Sequence, residues 1–184
     1  MHIYFSGAGG VGIGPLAEIA HQAGYEVSGS DLSRNQMTDQ LTSLGIQVAI
    51  GQDGSQIAHA HERKPIDWFV YTAALPVGHP ELIFARDHGI RVSKRDELLA
   101  EIIKQKNLYL IAVAGTHGKT TTTGMLVWAA QQLGVPVSYS IGTTIGFGSS
   151  GRYDPQSKYF IYECDEYDRN FLHFHPWASI VTAI

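Results

Sequence analysis

The stretch Ala114-Gly115-Thr116-His117-Gly118-Lys119-Thr120-Thr121 decides how this chain is read. An apolar run, Leu108 to Val113, leads into it, and a helix-like run, Met125 to Leu133, follows. A strand that turns through glycines into a helix start aims several backbone N–H groups, and the positive end of a helix dipole, at one point. Such a point suits a phosphate. Gly118-Lys119-Thr120 adds a lysine that neutralises phosphate charge and a hydroxyl able to ligate Mg²⁺. The common pattern G-x-x-x-x-G-K-[ST] asks for glycine where this chain has Val113, and here the glycine falls two residues later, at Gly115. A chance Gly-Lys-Thr at a helix start is the bland alternative, and the strand–turn–helix context weighs against it.

Upstream, residues 2–6 form a short apolar run that ends in Gly7-Ala8-Gly9-Gly10-Val11-Gly12, where Gly7, Gly9 and Gly12 match G-x-G-x-x-G. Ile13, Leu16, Ala17, Ile19 and Ala20 then repeat at helical spacing, and Gly24 is placed to end that helix. Tyr25 to Ser30 reads as a second strand, closing on Asp31. A βαβ unit with an acidic residue at the end of its second strand is the dinucleotide fingerprint. Its glycines are expected to serve a tight turn, a close approach to a diphosphate, and close helix–strand packing.

Ser33 is expected to cap a helix over residues 34–44, with a strand at Ile46 to Ile50 beyond it. A short helix is expected around Ile57. Its His59 and His61 lie two apart, on different faces, and are read as solvated rather than as metal ligands. Ile66 to Tyr71 is a further strand, ending in the small residues Thr72-Ala73-Ala74 that suit a ligand lying over a sheet's carboxyl end. A helix from Pro80 to His88, a strand at Ile90 to Val92, and an amphipathic helix from Asp96 to Gln105 follow. The polar break Lys104 to Asn107 marks the expected boundary between a first domain, 1–106, and a second, 107–184.

In the second domain the phosphate loop leads into a helix from Lys119 to Leu133, then a strand at Val135 to Ile141. Residues 142–157 are rich in Gly, Ser and Thr and read either as a loop near a ligand or as a connector. Lys158 to Cys164 reads as a buried strand, followed by Asp165-Glu166-Tyr167-Asp168. A nucleotide site needs a carboxylate on a neighbouring strand end to hold Mg²⁺ against phosphates. Glu163, Asp165, Glu166 and Asp168 supply the acidic cluster, in which Glu163 and Asp165 share one strand face. Ala178 to Ile184 reads as a last strand. A phosphate-loop domain needs more elements than these, so the chain is expected to be the N-terminal part of a longer protein.

The bulk numbers narrow the function classes. The 184 residues carry 13 Lys+Arg against 17 Asp+Glu, a net charge of -4, which offers no basic field for a nucleic-acid backbone. One cysteine, Cys164, excludes an intrachain disulfide and fits a reducing cytoplasm. No apolar run reaches the length of a membrane span.

Taken in order, Gly7 to Gly12, Tyr25 to Asp31, Ala112 to Thr122 and Glu163 to Asp168 resemble the Mur ligase family along essentially the whole chain. The Gly-Thr-His-Gly-Lys-Thr-Thr form is specific to that resemblance and accounts for Val113. It implies an α/β fold: a Rossmann-like parallel-sheet domain that binds a UDP-sugar, then the start of a P-loop-type ATP-binding domain. The activity implied is ATP-dependent amide ligation in peptidoglycan precursor synthesis. UDP-N-acetylmuramate and L-alanine are the substrates and ATP and Mg²⁺ the cofactors, in the cytoplasm and without nucleic acid or membrane. A related activity attaches murein tripeptide instead.

By the same resemblance Gly7, Gly9, Gly10, Val11, Gly12, Asp31, Thr72 and Ala73 would meet the UDP-sugar. Gly115, Thr116, His117, Gly118, Lys119, Thr120 and Thr121 would bind ATP, with Lys119 and His117 as the catalytic pair. Thr120 and Glu163 would hold the metal. Three residues depart from the family pattern: Gln52 stands where histidine is common, Cys164 where alanine is usual, and Tyr167 where serine is commoner. Tyr167 points toward the tripeptide-adding activity, whereas Thr72 to Pro76 look more like the alanine-adding one. An NAD-dependent oxidoreductase would use the first βαβ unit but leave the second loop unexplained, and a non-catalytic nucleotide-sugar module would leave its acidic partner unexplained.

Overall fold

The computed structural model describes all residues except 73, 144, 147, 165–173 and 184. The chain divides into two compact units, Met1–Leu98 and Leu99–Ile184. The division falls inside the helix that precedes the expected boundary.

The first unit contains β1 (His2–Ser6), α1 (Gly14–Gln22), β2 (Glu26–Asp31), α2 (Gln36–Ser43) and β3 (Gln47–Ile50). Then come α3 (Ser55–Arg63), β4 (Trp68–Tyr71), α4 (Pro80–Asp87) and β5 (Arg91–Lys94), with α5 (Arg95–Gln105) running across the division. Its five strands are all parallel, in the order β3-β2-β1-β4-β5. Every residue of β1 is buried, as a central parallel strand covered on both faces must be. On one face Tyr4 and Phe69 pack with Ile57 and Ala60 of α3 and Leu82 and Ala85 of α4. The chain order reverses between β1 and β4, so the crevice at their carboxyl ends is the topological switch point.

Two local expectations change. α2 begins at Asn35, not Ser33: Asn35 Oδ1 accepts from Thr38 N at 3.0 Å while Thr38 Oγ1 accepts from Asn35 N at 2.9 Å, a reciprocal cap. Ser33 is taken up elsewhere, its N–H donating to Asp31 Oδ1 at 3.2 Å. His61 is half-buried rather than solvated. Its Nδ1 accepts from Ile66 N at 3.1 Å, and its ring meets Phe84 and His88 edge-on.

The second unit holds β6 (Tyr109–Ala114), α6 (Lys119–Gln132), β7 (Val137–Ser140), β8 (Gly151–Arg152), β9 (Tyr159–Glu163) and β10 (Ala178–Val181). The order is β10-β6-β9-β7-β8, parallel throughout except for β8, which runs antiparallel to β7. Val113, Val127, Tyr139, Ile141 and Ile161 form its core. Among the described residues, no helix is long and apolar enough to cross a membrane.

Candidate functional site

Two crevices gather the candidate residues, one in each unit. In the first, Gly7 turns the chain out of β1 with φ +80, a conformation that L side chains rarely adopt. The N–H groups of Gly7 and Ala8 both donate to the Ser30 carbonyl at 2.9 Å, fastening the turn to β2. Gly9 N donates to Asp31 Oδ2 at 2.7 Å. Asp31 therefore spans two amides, those of Gly9 and Ser33, and retains lone pairs for a further donor. Thr72, just past β4, borders the same turn: a Cβ on Gly7 would lie 3.5 Å from its Cγ2. Gly7 to Gly12, Asp31 and Thr72 are thus brought together, while Ala73 lies outside the described residues.

The glycine roles are distributed differently from the expectation. A side chain on Gly9 would strike Asn35 Nδ2 at 2.3 Å and Asp31 Oδ2 at 2.9 Å, so its space is taken by the side chains that hold the loop. A side chain on Gly12 would strike Arg95 Nη1 at 2.3 Å. Close helix packing belongs instead to Gly14, whose missing Cβ makes room for Met37 at 2.3 Å. Arg95 carried no signal in the sequence, since it lies 83 positions from Gly12 in no recognisable motif. Among the described residues, no hydrogen bond uses the Val11 or Gly12 N–H.

Beneath this turn sits a buried polar hub. Glu81, in the first turn of α4, is fully buried, and its carboxylate accepts from the hydroxyls of Tyr4 (2.9 Å), Ser6 (2.6 Å) and Ser30 (2.8 Å). Gln52 Nε2 donates to the Ser6 and Ser30 hydroxyl oxygens at 3.0 and 3.1 Å. One carboxylate thus ties the ends of β1 and β2 to α4, and Gln52 completes the set. Burial, and next the negative charge of Glu81, push the Tyr4 phenol well above its ordinary range. The sequence marks Gln52 only as a departure and gives Glu81 no mark, because a hub from four segments has no local pattern.

In the second unit the phosphate loop runs from β6 into α6. Gly115 has φ +128, and a Cβ there would meet Thr182 Oγ1 at 2.6 Å and the Ala183 carbonyl at 2.7 Å. This explains the shifted glycine: the chain just past β10 crosses the loop at Gly115, where no side chain fits. Thr116 N donates to Ala183 O at 3.1 Å, and the Thr182 hydroxyl is shared between the carbonyls of Ala114 and His117. Gly118 begins α6 in the left-handed region with no side-chain cap, so the helix start presents its N–H groups outward. Lys119 Nζ folds back onto the Gly115 carbonyl at 2.5 Å. Thr116, His117, Gly118 and Thr121 are exposed around it.

Glu163 ends β9 in register with Val113 of β6. Its Oε1 accepts from Thr120 Oγ1 at 2.6 Å and its Oε2 from Gly142 N at 2.7 Å. The start of the Gly/Ser/Thr-rich segment therefore touches the carboxylate, which the sequence left open. A hydroxyl and a carboxylate side by side suit Mg²⁺, which takes hard oxygen ligands and completes its shell with water and phosphate. Among the described residues, no group of three or more His, Cys, Asp and Glu could hold a metal unaided. Asp165, Glu166, Tyr167 and Asp168 lie outside the described residues.

An all-parallel sheet with a glycine turn at its switch point, followed by a phosphate-type loop facing a strand-end carboxylate, defines an α/β protein of the nucleotide-binding class. The model of the Mur ligase family, catalytic domain, matches residues 2–107, and the chain belongs to that family. Among solved structures it is similar to the UDP-N-acetylmuramate:L-alanyl-γ-D-glutamyl-meso-diaminopimelate ligase from Neisseria meningitides. That match has 33% identity and a TM-score of 0.85, over 99% of this chain and 60% of that one. A murein peptide ligase from Psychrobacter arcticus shows 32% identity and a TM-score of 0.83, over 98% and 42%. The UDP-N-acetylmuramate–alanine ligase from Thermotoga maritima shows 28% identity and a TM-score of 0.87, over 100% and 41%. The chain thus spans between 41% and 60% of the length of these relatives.

Proposed function

We propose that this chain is the nucleotide-sugar-binding domain, 1–106, and the beginning of the ATP-binding domain, 107–184, of an amide ligase. That ligase joins L-alanine to UDP-N-acetylmuramate in peptidoglycan precursor synthesis. The observation that carries the reading is the meeting of Thr120 and Glu163 at 2.6 Å beside the Lys119 loop. It sets a hydroxyl, a carboxylate and a lysine where a nucleoside triphosphate needs them.

In this reading the muramyl carboxylate attacks the γ-phosphorus of ATP and ADP leaves, giving an acyl phosphate. The alanine amine attacks the acyl carbon, loses a proton, and the tetrahedral intermediate expels phosphate to leave an amide. Lys119 Nζ leaves the Gly115 carbonyl for the β,γ-phosphates, where it offsets the charge that develops in transfer. The loop N–H groups of residues 115–121 hold the phosphates, and His117 is exposed on that loop. Thr120 and Glu163 would hold Mg²⁺, which when bound draws charge from the phosphate oxygens. In the first unit Gly7 to Gly12, Asp31, Thr72 and Ala73 position the UDP-sugar.

A second reading, attachment of a murein tripeptide to the same UDP-sugar, is supported by the identities of 33% and 32% to the two peptide-ligating relatives. The test is a product assay on the full-length protein with UDP-N-acetylmuramate, ATP and Mg²⁺. L-alanine is offered in one arm and L-alanyl-γ-D-glutamyl-meso-diaminopimelate in the other. ADP release in the alanine arm alone supports the first reading, and in the peptide arm alone the second. Binding of NAD without UDP-N-acetylmuramate overturns both.

A further inference from the structure

We propose that the first unit holds a second ligand site, at the amino ends of β1 and β2, for a small hydroxylated organic anion. A cavity of about 350 Å³ opens there, and His2, Glu26, Ser28, Gln47, Arg63 and Lys64 are among its lining residues. Its size falls within the range of small-molecule pockets, about 300–1,000 Å³. The glycine turn and Asp31 stand at the other ends of the same two strands. His2 and Ser6 mark the two ends of β1, about 13 Å apart along an extended chain. The cavity is therefore distinct from the crevice assigned to the nucleotide-sugar, and the inference does not rest on that assignment.

The floor of the cavity is polar and already ordered. His2 is 4% exposed and Ser28 8%. His2 Nδ1 lies 3.2 Å from the Lys64 carbonyl, which can only accept, so Nδ1 carries the ring proton. In the neutral ring Nε2 then accepts from Ser28 Oγ at 2.8 Å. The Ser28 oxygen keeps its lone pairs for a ligand hydroxyl. Asp67 stands nearby, but its Oδ2 accepts from His2 N at 2.6 Å and is turned to the backbone.

The walls leave one charge uncompensated. Glu26 and Lys64 form an ion pair, and the hydrogen bond from Lys64 holds the Glu26 carboxyl below its ordinary range. Those two charges cancel. Arg63 is exposed, and among the described residues its side chain has neither an ion pair nor a hydrogen bond. It lies in the last turn of α3, whose carbonyl end carries only about half a negative charge, so a positive balance remains. A guanidinium fork matches two oxygens of a carboxylate or phosphate at once. The Gln47 amide, at the exposed start of β3, can give or take one hydrogen bond more.

The experiment is a calorimetric titration of the full-length protein with L-malate, with glycerol 3-phosphate and, as the uncharged control, with glycerol. It is repeated on Arg63→Ala, Arg63→Lys and Arg86→Ala, the last removing an exposed arginine of α4 that does not line the cavity. The wild-type protein is expected to bind at least one of the two anions and not glycerol, and the preferred arm tells carboxylate from phosphate. Arg63→Ala weakens that binding by about 10-fold or more, the scale of a charge-assisted hydrogen-bonded pair. Arg63→Lys recovers part of it, Arg86→Ala leaves it unchanged, and saturating UDP-N-acetylmuramate does not displace the anion. Arg63 is exposed, so its variants should unfold in urea as the wild type does. The proposal is overturned if neither anion binds at millimolar concentration or if Arg63→Ala binds undiminished. Equal losses in Arg63→Ala and Arg86→Ala, or displacement by UDP-N-acetylmuramate, overturn it as well. If UDP-N-acetylmuramate itself does not bind, the ligase reading fails, while the Arg63 comparison, made without it, still decides this site.

Discussion

Thr120 and Glu163, 43 residues apart in the chain, meet through a hydrogen bond of 2.6 Å from hydroxyl to carboxylate. Thr120 opens a helix and Glu163 closes a strand, and β6 and β9 are paired so that Val113 lies opposite Glu163. The pairing register places the carboxylate against the loop. A slip of one residue would turn it to the opposite face of the sheet.

Replacing Glu163 by Gln keeps the side chain's shape and its ability to accept from Thr120, but removes its charge and its acceptor for Gly142 N. The Mg²⁺ concentration for half-maximal ligase activity in the full-length protein should rise by about tenfold or more, with little change in folding. A Mg²⁺ titration reads this directly. An unchanged requirement would remove Glu163 from the metal site.

Lys119→Ala should cut turnover of the full-length protein by about 100- to 1000-fold, the usual consequence of losing one group that stabilises transition-state charge. Binding of UDP-N-acetylmuramate, measured by calorimetry, should be unaltered. Parallel loss of both would mean that the two nucleotide sites are not divided between the two units as proposed.

The two loop glycines should differ in what they tolerate. At Gly115 an alanine combines φ +128 with a methyl less than 3 Å from three atoms of Thr182 and Ala183, so the backbone past β10 must move. A loss of about 3 kcal/mol or more is expected. At Gly118, φ is +82 and the nearest atom to an added Cβ is 3.6 Å away, which leaves a left-handed penalty of about 1 kcal/mol. Urea unfolding of the two variants compares them, and equal losses would contradict the close crossing at Gly115.

Glu81→Leu should destabilise the protein by about 2–4 kcal/mol, because three buried hydroxyls and the Gln52 amide lose a common acceptor in a place water does not reach. Urea unfolding measures the loss. Replacement without effect would show that the hydroxyls find other partners.

The hub also predicts a direction for the pH dependence. The folded state holds Tyr4 protonated at pH values where the unfolded chain, with a phenol near about 10, releases its proton. The contribution is fully present below that unfolded value. It is lost as pH rises toward the folded one, with a limiting slope of about 1.4 kcal/mol per pH unit from this group. Tyr4→Phe should flatten the alkaline stability curve, measured by urea unfolding between pH 9 and 11, conditions set by that same phenol range.

The sequence alone determined the elements and the two turns. Apolar period, glycine stops and Gly-Lys-Thr context placed the parallel strands and helices nearly where they stand, because these signals are local and each acts within a few residues. They also placed Gly7 to Gly12 and Gly115 to Thr121 at strand-to-helix turns and an acidic cluster at Glu163 to Asp168, within which the family resemblance singled out Glu163. What they could not reach was set by contacts between distant segments. The fit of Arg95 against Gly12, the Glu81 hub and the crossing of residues 182–183 over Gly115 all depend on which strands lie side by side. Strand order is a property of the packed sheet, and only the tertiary structure decided it.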